Sequence, residues 1–352
     1  MTPKPRDIDR KLVSETRVAG FRRVLDGRDG IRDALRELHV LVPDDAVVGS
    51  PFCIINFVTS VAEGYDAEVG VPVSRDVDTG PVATRAVPEM EVLSLVHDGS
   101  AEATGESYGA LFGHASRLGI ISDEFCREVY PNWGEGPVEL QFVIHRWGEL
   151  FDRHTSRVLG DEAAARVAAE HGSLSLDAGV EERFRWTKAA VESLAAVATP
   201  HQCYDVLSSC AHVFPEAQVA KLRDVYTAAK AETGDGLAAV DAVLDFMDAD
   251  PGWGKRPRRE GRVLYTSKAP RDRAAYEKAE TDAARRSAYC FCPLVRDHLD
   301  EGMPKTFCNC GAGWFRTQWE GATGKPVTIE ILKSVLGGDD ECSFAITLSD
   351  EL

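Results

Sequence analysis

The sequence contains no long apolar run and has a shortage of positive charge. No segment approaches the roughly 20 consecutive apolar residues of a membrane-spanning helix, and residues 1–7 are too polar for the apolar core of a signal peptide. Against 57 acidic residues there are 40 basic ones, a formal net charge of −17. Such a surface repels nucleic acid, and no helix-turn-helix pattern offsets the repulsion. We therefore expect a cytoplasmic protein with no nucleic-acid or membrane partner.

The length and the hydrophobic pattern predict two domains and an α+β fold. With 352 residues, of which 44% are hydrophobic, the chain is long enough for two cores. We predict an N-terminal domain at 1–148, a helical connector at 149–180, and a helical plus cysteine-rich α/β region at 181–352. The first domain reads as a β-α-β-β unit repeated twice, including one long strand at 82–97. The basic segment 255–273 predicts a solvent-exposed loop.

The last strand of the N-terminal domain alternates strictly in polarity. Leu140 and Phe142 fall on one face of this strand, whereas Glu139 and Gln141 fall on the other. One interpretation is a sheet with one solvated face. The other interpretation is the floor of a ligand groove, in which the carboxylate of Glu139 receives a cationic ligand.

Four of the nine cysteines form two C-x-C pairs, Cys290/Cys292 and Cys308/Cys310, with fifteen residues between them. Cysteines in a reducing compartment favour metal or thiol chemistry over a disulfide framework. Four thiolates can complete a tetrahedral zinc site, and another thiophilic metal would also suit them. Reactive thiols, a disulfide pair and inert buried cysteines remain as alternatives.

Several segments of the N-terminal half resemble the GyrI-like domain, which is also the effector-binding part of AraC- and MerR-type regulators. The resemblance covers about residues 6–148. It rests on the order of these segments: Asp66-Ala-Glu-Val-Gly-Val-Pro-Val73, Val92-Leu-Ser-Leu-Val-His97-Asp-Gly99, Tyr108 on a helix, Arg127-Glu-Val-Tyr130 and Val138-Glu139-Leu-Gln-Phe-Val-Ile. The family implies a pseudo-twofold β-α-β-β repeat with a groove for aromatic, often cationic, small molecules.

The resemblance also implies a set of ligand-binding residues. The family's pocket glutamate maps best onto Glu139, with Glu128 as the second candidate. Some family members are hydrolases that use a pocket glutamate and a tyrosine, and in this sequence those residues would be Glu139 as general base and Tyr108. The other expected ligand contacts are Tyr65, Tyr130, Trp133 and His97, whose rings would stack on the ligand or attract its positive charge.

The C-terminal end resembles a 4-vinyl-reductase-type domain. The resemblance covers about residues 285–348 and rests on a helix, a strand, the pattern G-D-x-x-C-x-F-x-I ending in a second strand, and Cys342 within that pattern. In related sensors a zinc ligand is a cysteine eight residues before this one, a position that Ser334 occupies here. The expected metal ligands are therefore Cys342 together with the four cysteines of the C-x-C pairs.

Three functions follow from these residues. The first is a protein that binds a small hydrophobic or cationic aromatic molecule and holds a thiolate metal site in its C-terminal half. The second is a hydrolase or lyase that acts on a natural product. The third is a metal- or thiol-reactive sensor. The sequence leaves the identity of the ligand and the oligomeric state open, a homo-oligomer included.

Overall fold

The computed structural model describes most of the chain: residues 8–56, 64–100, 103–175, 178–211, 216–250, 253 and 255–352. The chain divides into two compact units. The first unit is Met1–Arg117 with Ser122–His145, and the second is Leu118–Ile121 with Arg146–Leu352. Within the described ranges, no helix combines the length and the apolar character that crossing a membrane requires.

The first unit is built on one antiparallel sheet. Its strands are β1 (Asp9–Val13), β2 (Thr16–Leu25), β3 (Phe52–Asn56), β4 (Tyr65–Pro72), β5 (Ala83–Val87), β6 (Met90–His97), β7 (Ser122–Val129) and β8 (Val138–Ile144). They lie in the order β1-β6-β8-β7-β3-β4-β2-β5. Helix α1 (Gly27–Leu41) connects β2 to β3, and α2 (Thr104–Arg117) connects β6 to β7.

This order confirms the predicted pseudo-twofold repeat. The first copy is β2-α1-β3-β4 and the second is β6-α2-β7-β8, and the two copies meet where β3 pairs with β7. The single long strand predicted at 82–97 is wrong, because the chain breaks at Pro88 into β5 and β6. Proline has no backbone N–H to donate to a sheet. β5 then pairs with β2, whereas β6 pairs with β1 and β8.

Helix α1 packs on the sheet through one apolar stripe. Ile31, Leu35 and Leu38 recur at helical spacing and are fully buried. They join a core that includes Val69 and Cys53 from the sheet. The face of the sheet that carries these two residues is therefore the face that the helix covers.

The second unit is helical first and ends in a small sheet. Its helices are α3 (Trp147–Leu159), α4 (Asp161–His171), α5 (Val180–Val197), α6 (Pro200–Ser208), α7 (Glu216–Thr233), α8 (Gly236–Asp248), α9 (Arg273–Lys278), α10 (Asp282–Tyr289) and α11 (Asn309–Thr323). Its strands are β9 (Arg258–Glu260), β10 (Val263–Ser267), β11 (Thr328–Lys333) and β12 (Ser343–Thr347), in the order β11-β12-β10-β9.

The hairpin predicted at the C-terminal end is confirmed, since β11 and β12 pair antiparallel. The exposed loop predicted at 255–273 is wrong, because this segment forms β9 and β10, and β10 pairs with β12. Its charges concealed the strand, although Leu264 lies at 0% exposure in the core.

Candidate functional site

Glu128 lies at the centre of the sheet of the first unit. It sits on β7, opposite Cys53 of β3 on one side and Leu140 of β8 on the other. Its exposure is 0%, as is that of Cys53. A carboxylate buried so deeply needs donors around it, because losing its water otherwise disfavours the charged form.

Three side chains donate hydrogen bonds to Glu128. The hydroxyl of Tyr108, on α2, lies 2.6 Å from Oε1. The hydroxyl of Tyr130, which directly follows β7, donates to Oε2. The guanidinium of Arg28, on the first turn of α1, donates to Oε2 and forms an ion pair with it. We call these four residues the Glu128 site. Each copy of the repeat supplies one helix to it.

The electrostatics keep the neighbours of this carboxylate protonated. Burial and the negative charge of Glu128 raise the pKa of the Tyr108 hydroxyl well above its ordinary value, and the same two causes raise the pKa of Tyr130. Burial also raises the pKa of Cys53 and Cys126, which flank the carboxylate on β3 and β7. The phenols therefore act as donors to Glu128 and not as bases.

A small cavity adjoins the site on its Arg28 and Tyr130 side. Its volume is about 40 Å³, room for roughly one water, whereas ligand pockets commonly measure about 300–1,000 Å³. A ligand of drug size would therefore have to widen it. The lining residues are Arg28, Arg32, His97, Gly99, Thr104, Tyr130, Gly134, Gly136, Val138 and Leu140.

Glu139 lies on the opposite face of the sheet from Glu128. It pairs in register with Val129, whereas Glu128 pairs with Leu140, and successive side chains of a strand alternate between faces. Its carboxylate forms an ion pair with Lys11 and accepts a 2.9 Å hydrogen bond from Gln141. Burial acts to raise the pKa of Glu139, but these hydrogen bonds outweigh burial and lower the pKa below its ordinary value. The structure does not bring Glu139 together with Tyr108.

The other predicted ligand residues lie on the Glu128 face. His97 lines the cavity, and its ring nitrogens lie 2.9 Å from the Ser107 hydroxyl and from the Ser100 carbonyl oxygen. Trp133 stacks on His39 with ring centroids 4.2 Å apart. Tyr65 and Trp133 both pack against the core beneath α1, to which Tyr130 belongs.

Sequence reasoning missed the arginine of this site, Arg28, and a second arginine, Arg32, that lines the adjoining cavity. Arg28 and Arg32 stand one helical turn apart on α1 and line the cavity. Arg28 is 100 positions from Glu128, and its neighbours on the helix are equally polar. No local pattern distinguishes it from an exposed arginine.

The second unit gathers five cysteines, Cys290, Cys292, Cys308, Cys310 and Cys342, which we call the cysteine cluster. The first pair follows α10, the second pair lies at the start of α11, and Cys342 immediately precedes β12. All five pack against one core. The Cys308 sulfur lies 3.1 Å from the Ser334 hydroxyl, so the residue that replaces the expected zinc ligand reaches the cluster.

Burial is the dominant influence on these thiols. It raises the pKa of Cys290 and Cys310 to about 11 and that of Cys308 to about 12. The positive charge of Lys268 acts in the opposite direction and offsets part of the rise in pKa for all three thiols. Arg271 donates through Nε to the Cys290 carbonyl oxygen at 3.1 Å.

The sulfurs are close enough to influence one another but do not form a closed site. In the described part of the chain, a single group of three potential ligand atoms lies within 4.8 Å, and it consists of Glu181, His298 and Glu301. The edge of a tetrahedral zinc–thiolate site is about 3.8 Å, given zinc–sulfur bonds of about 2.3 Å. The cysteine cluster would have to contract around a metal.

Two family models match the chain. Residues 7–142 match the GyrI-like small molecule binding domain. Residues 265–352, which include the cysteine cluster, match a family of unknown function, DUF6144. No curated protein matches the sequence. The first unit thus contains a segment that matches a small-molecule-binding domain.

Solved structures similar to this chain each cover about two fifths of it. The C-terminal domain of EcmrR is 15% identical, with a TM-score of 0.35, 40% of this chain and 97% of that chain being covered. A hydrolase encoded by lin2189 from Listeria innocua is 13% identical, with a TM-score of 0.32 and coverage of 41% and 93%. SAV2435 bound to tetraphenylphosphonium is 6% identical, with a TM-score of 0.30 and coverage of 41% and 96%.

Proposed function

We propose that the first unit binds a small organic molecule at the Glu128 site. The observation that carries the proposal is the fully buried carboxylate of Glu128 with Tyr108, Tyr130 and Arg28 as its donors, next to a cavity. A fixed charge among aromatic rings gives orientation and contact area to a ligand. The match of residues 7–142 to a small-molecule-binding family supports the same function.

A matched pair of variants tests this proposal. Glu128→Gln keeps the shape of the buried group and removes its charge, while Glu139→Gln makes the same change on the other face. A set of aromatic compounds of differing charge is titrated against the full chain by isothermal calorimetry. We expect saturable binding that weakens at least tenfold in Glu128→Gln and stays within twofold in Glu139→Gln. Equal affinities in the two variants would remove Glu128 from the binding site, as would a loss confined to Glu139→Gln.

A hydrolytic activity is the second candidate function. The observation that favours it is the 2.6 Å hydrogen bond between Tyr108 and Glu128, because a carboxylate and a phenol in contact can activate water and protonate a leaving group. This assignment moves the base from Glu139, expected from the sequence, to Glu128. Incubating each bound compound with the protein and analysing it by mass spectrometry separates the two functions. A hydrolase consumes its ligand, whereas a binding protein returns it intact.

For the second unit we propose a thiolate metal centre, with zinc or another thiophilic ion. The five thiols of the cysteine cluster share one core, to which Cys203 and Cys210 also belong, and their donor chemistry suits a soft cation. With all five deprotonated, a divalent ion leaves an excess of negative charge, which Lys268 and Arg271 are positioned to offset. The raised pKa values disfavour the reactive-thiol alternative, since the thiolate is the nucleophile. The likeness to a 4-vinyl-reductase-type domain stays a prediction.

Elemental analysis tests the metal centre. Protein purified without chelator and loaded with zinc should retain close to one equivalent after dialysis. Cys290→Ser and Cys308→Ser should each reduce the amount of zinc retained. Cys53→Ser is the control and should leave it unchanged, because Cys53 is a buried cysteine of the first unit. Retention below about a tenth of an equivalent in the unaltered protein rules out a structural site.

A further inference from the structure

The carboxylate of the Glu128 site already has a cation of its own. Arg28 forms an ion pair with it, and two phenols fill further acceptor positions. A carboxylate has about four such positions. Burial by itself lowers the pKa of Arg28, yet the charge and hydrogen bonding of Glu128 raise it above its ordinary value. Little attraction is left over for the positive charge of a ligand.

The cavity beside this pair presents donors and positive charge. Arg28 and Arg32 both line it, and no carboxylate is among its lining residues in the described part of the chain. Arg32 has Asp29 as a partner at 3.3 Å, but Asp29 is 93% exposed, where an ion pair contributes little. Glu128 is the one hydrogen-bonding partner of Arg28 within the described ranges. Its remaining N–H groups are open to an acceptor.

We propose that the Glu128 site takes an aromatic acid, whose anionic group accepts hydrogen bonds from Arg28 and Arg32 and whose rings lie against Tyr130, Val138 and Leu140. This inference rests on the proposed function and specifies its ligand class. The planar guanidinium suits a carboxylate because two parallel N–H groups match its two oxygens. Arg28 thus bridges the ligand anion to the buried carboxylate.

A cationic ligand fits this arrangement poorly. To reach Glu128 it would have to displace Arg28, and removing one partner of a buried ion pair is strongly unfavourable. To bind without displacing Arg28, it would have to lie next to two guanidinium groups. An anion meets neither obstacle. The expected preference for a cationic aromatic molecule would then apply only to a protein without Arg28.

Two probes of matched shape test the charge preference. 2-Naphthoate and the 2-naphthyltrimethylammonium ion are titrated against the full chain by calorimetry. We expect the unaltered protein to bind naphthoate at least tenfold more tightly than the ammonium ion. Tighter or equal binding of the ammonium ion overturns the inference. So does binding of neither probe while other compounds still bind in a Glu128-dependent manner, an outcome that leaves the proposed function intact.

Arginine variants locate the preference. Arg28→Gln should bind naphthoate at least tenfold more weakly than the unaltered protein. It should also bind the ammonium ion more tightly, because Glu128 then has no cation of its own. Arg28→Lys, which keeps the charge, should retain the naphthoate preference and covers the case in which Arg28→Gln does not fold. Arg36→Gln is the matched control, since Arg36 lies on the same helix but pairs with Asp33 in solvent. A probe ratio that is the same in Arg28→Gln, in Arg36→Gln and in the unaltered protein overturns the inference.

Discussion

The phenolic oxygen of Tyr108 lies 2.6 Å from Oε1 of Glu128 and connects α2 to the centre of the sheet. Hydrogen bonds to a charged group contribute about 1.5–3 kcal/mol, more than neutral ones. The carboxylate is fully buried, so water cannot replace a lost donor. The contact is therefore structural as well as chemical.

Tyr108→Phe should lower the free energy of unfolding by about 2 kcal/mol, because it leaves one acceptor of a buried carboxylate unpaired. Urea unfolding of the full chain measures the change. Tyr265→Phe is the control, since the hydroxyl of Tyr265 has no hydrogen-bonding partner among the residues that the structure describes; it should change stability by less than about 0.5 kcal/mol. If the two variants unfold at the same urea concentration, the Tyr108 contact contributes nothing to stability.

Arg28 and Glu128 should be strongly coupled in a double-mutant cycle. Arg28→Ala leaves a charge at 0% exposure without its cation, which should cost about 3–5 kcal/mol. In the Glu128→Gln background the same change should cost less by at least about 1.5 kcal/mol, because the charge is gone. Urea midpoints of the four proteins provide the measurement. Additive effects contradict a functional ion pair.

The metal-free protein should lose stability in alkaline solution. Burial raises the pKa of Cys290 from its ordinary 9.0 to about 11, so the unfolded chain releases this proton first. The contribution of the Cys290 thiol to the free energy of unfolding is complete below about pH 9. It declines by about 1.4 kcal/mol per pH unit as the pH rises toward 11. Thermal unfolding between pH 7 and pH 11 detects this decline. Cys290→Ala should make the decline less steep by up to about 1.4 kcal/mol per pH unit, while Cys308 and Cys310, whose pKa values burial also raises, still contribute; an unchanged slope contradicts the assignment.

Gly313 should tolerate no side chain. A Cβ built there lies 2.0 Å from the Ser208 carbonyl oxygen and 2.6 Å from the Ala211 Cβ, so Gly313→Ala must push α11 away from α6 and should cost about 2–3 kcal/mol. Gly109 on α2 has open space around its Cβ position, and Gly109→Ala should stabilise by about 0.5–1 kcal/mol. Opposite signs in thermal unfolding are the expected outcome.

The repeat was predictable from sequence because hydrophobic periodicity is local. The apolar spacing of Ile31, Leu35 and Leu38 indicates a helix without any knowledge of what lies beneath it. Pro88 marks the break between β5 and β6, but the apolar residues on both sides of it suggested one continuous strand. The strand Val263–Ser267 was obscured for the opposite reason, since basic residues on both sides of it resemble a solvated loop.

The choice between Glu128 and Glu139 lay beyond the sequence. Both residues sit on strands with at least one apolar neighbour in sequence. Alternation says which residues share a face of the sheet but not which face the helices cover. The answer depends on the pairing of β7 with β3 and on the contact between Arg28 and Glu128. Both contacts join parts of the chain that are far apart in sequence. The two C-x-C pairs, by contrast, were apparent from their spacing, although the approach of Ser334 to Cys308 was not.

The two repeat copies meet where β3 pairs with β7, yet they contribute unequally to the Glu128 site. Arg28 comes from the helix of one copy, whereas Tyr108, Glu128 and Tyr130 come from the other. Directly across from Glu128, β3 carries the neutral Cys53. The site is therefore asymmetric: one copy supplies the carboxylate with its two phenols, and the other copy supplies the cation.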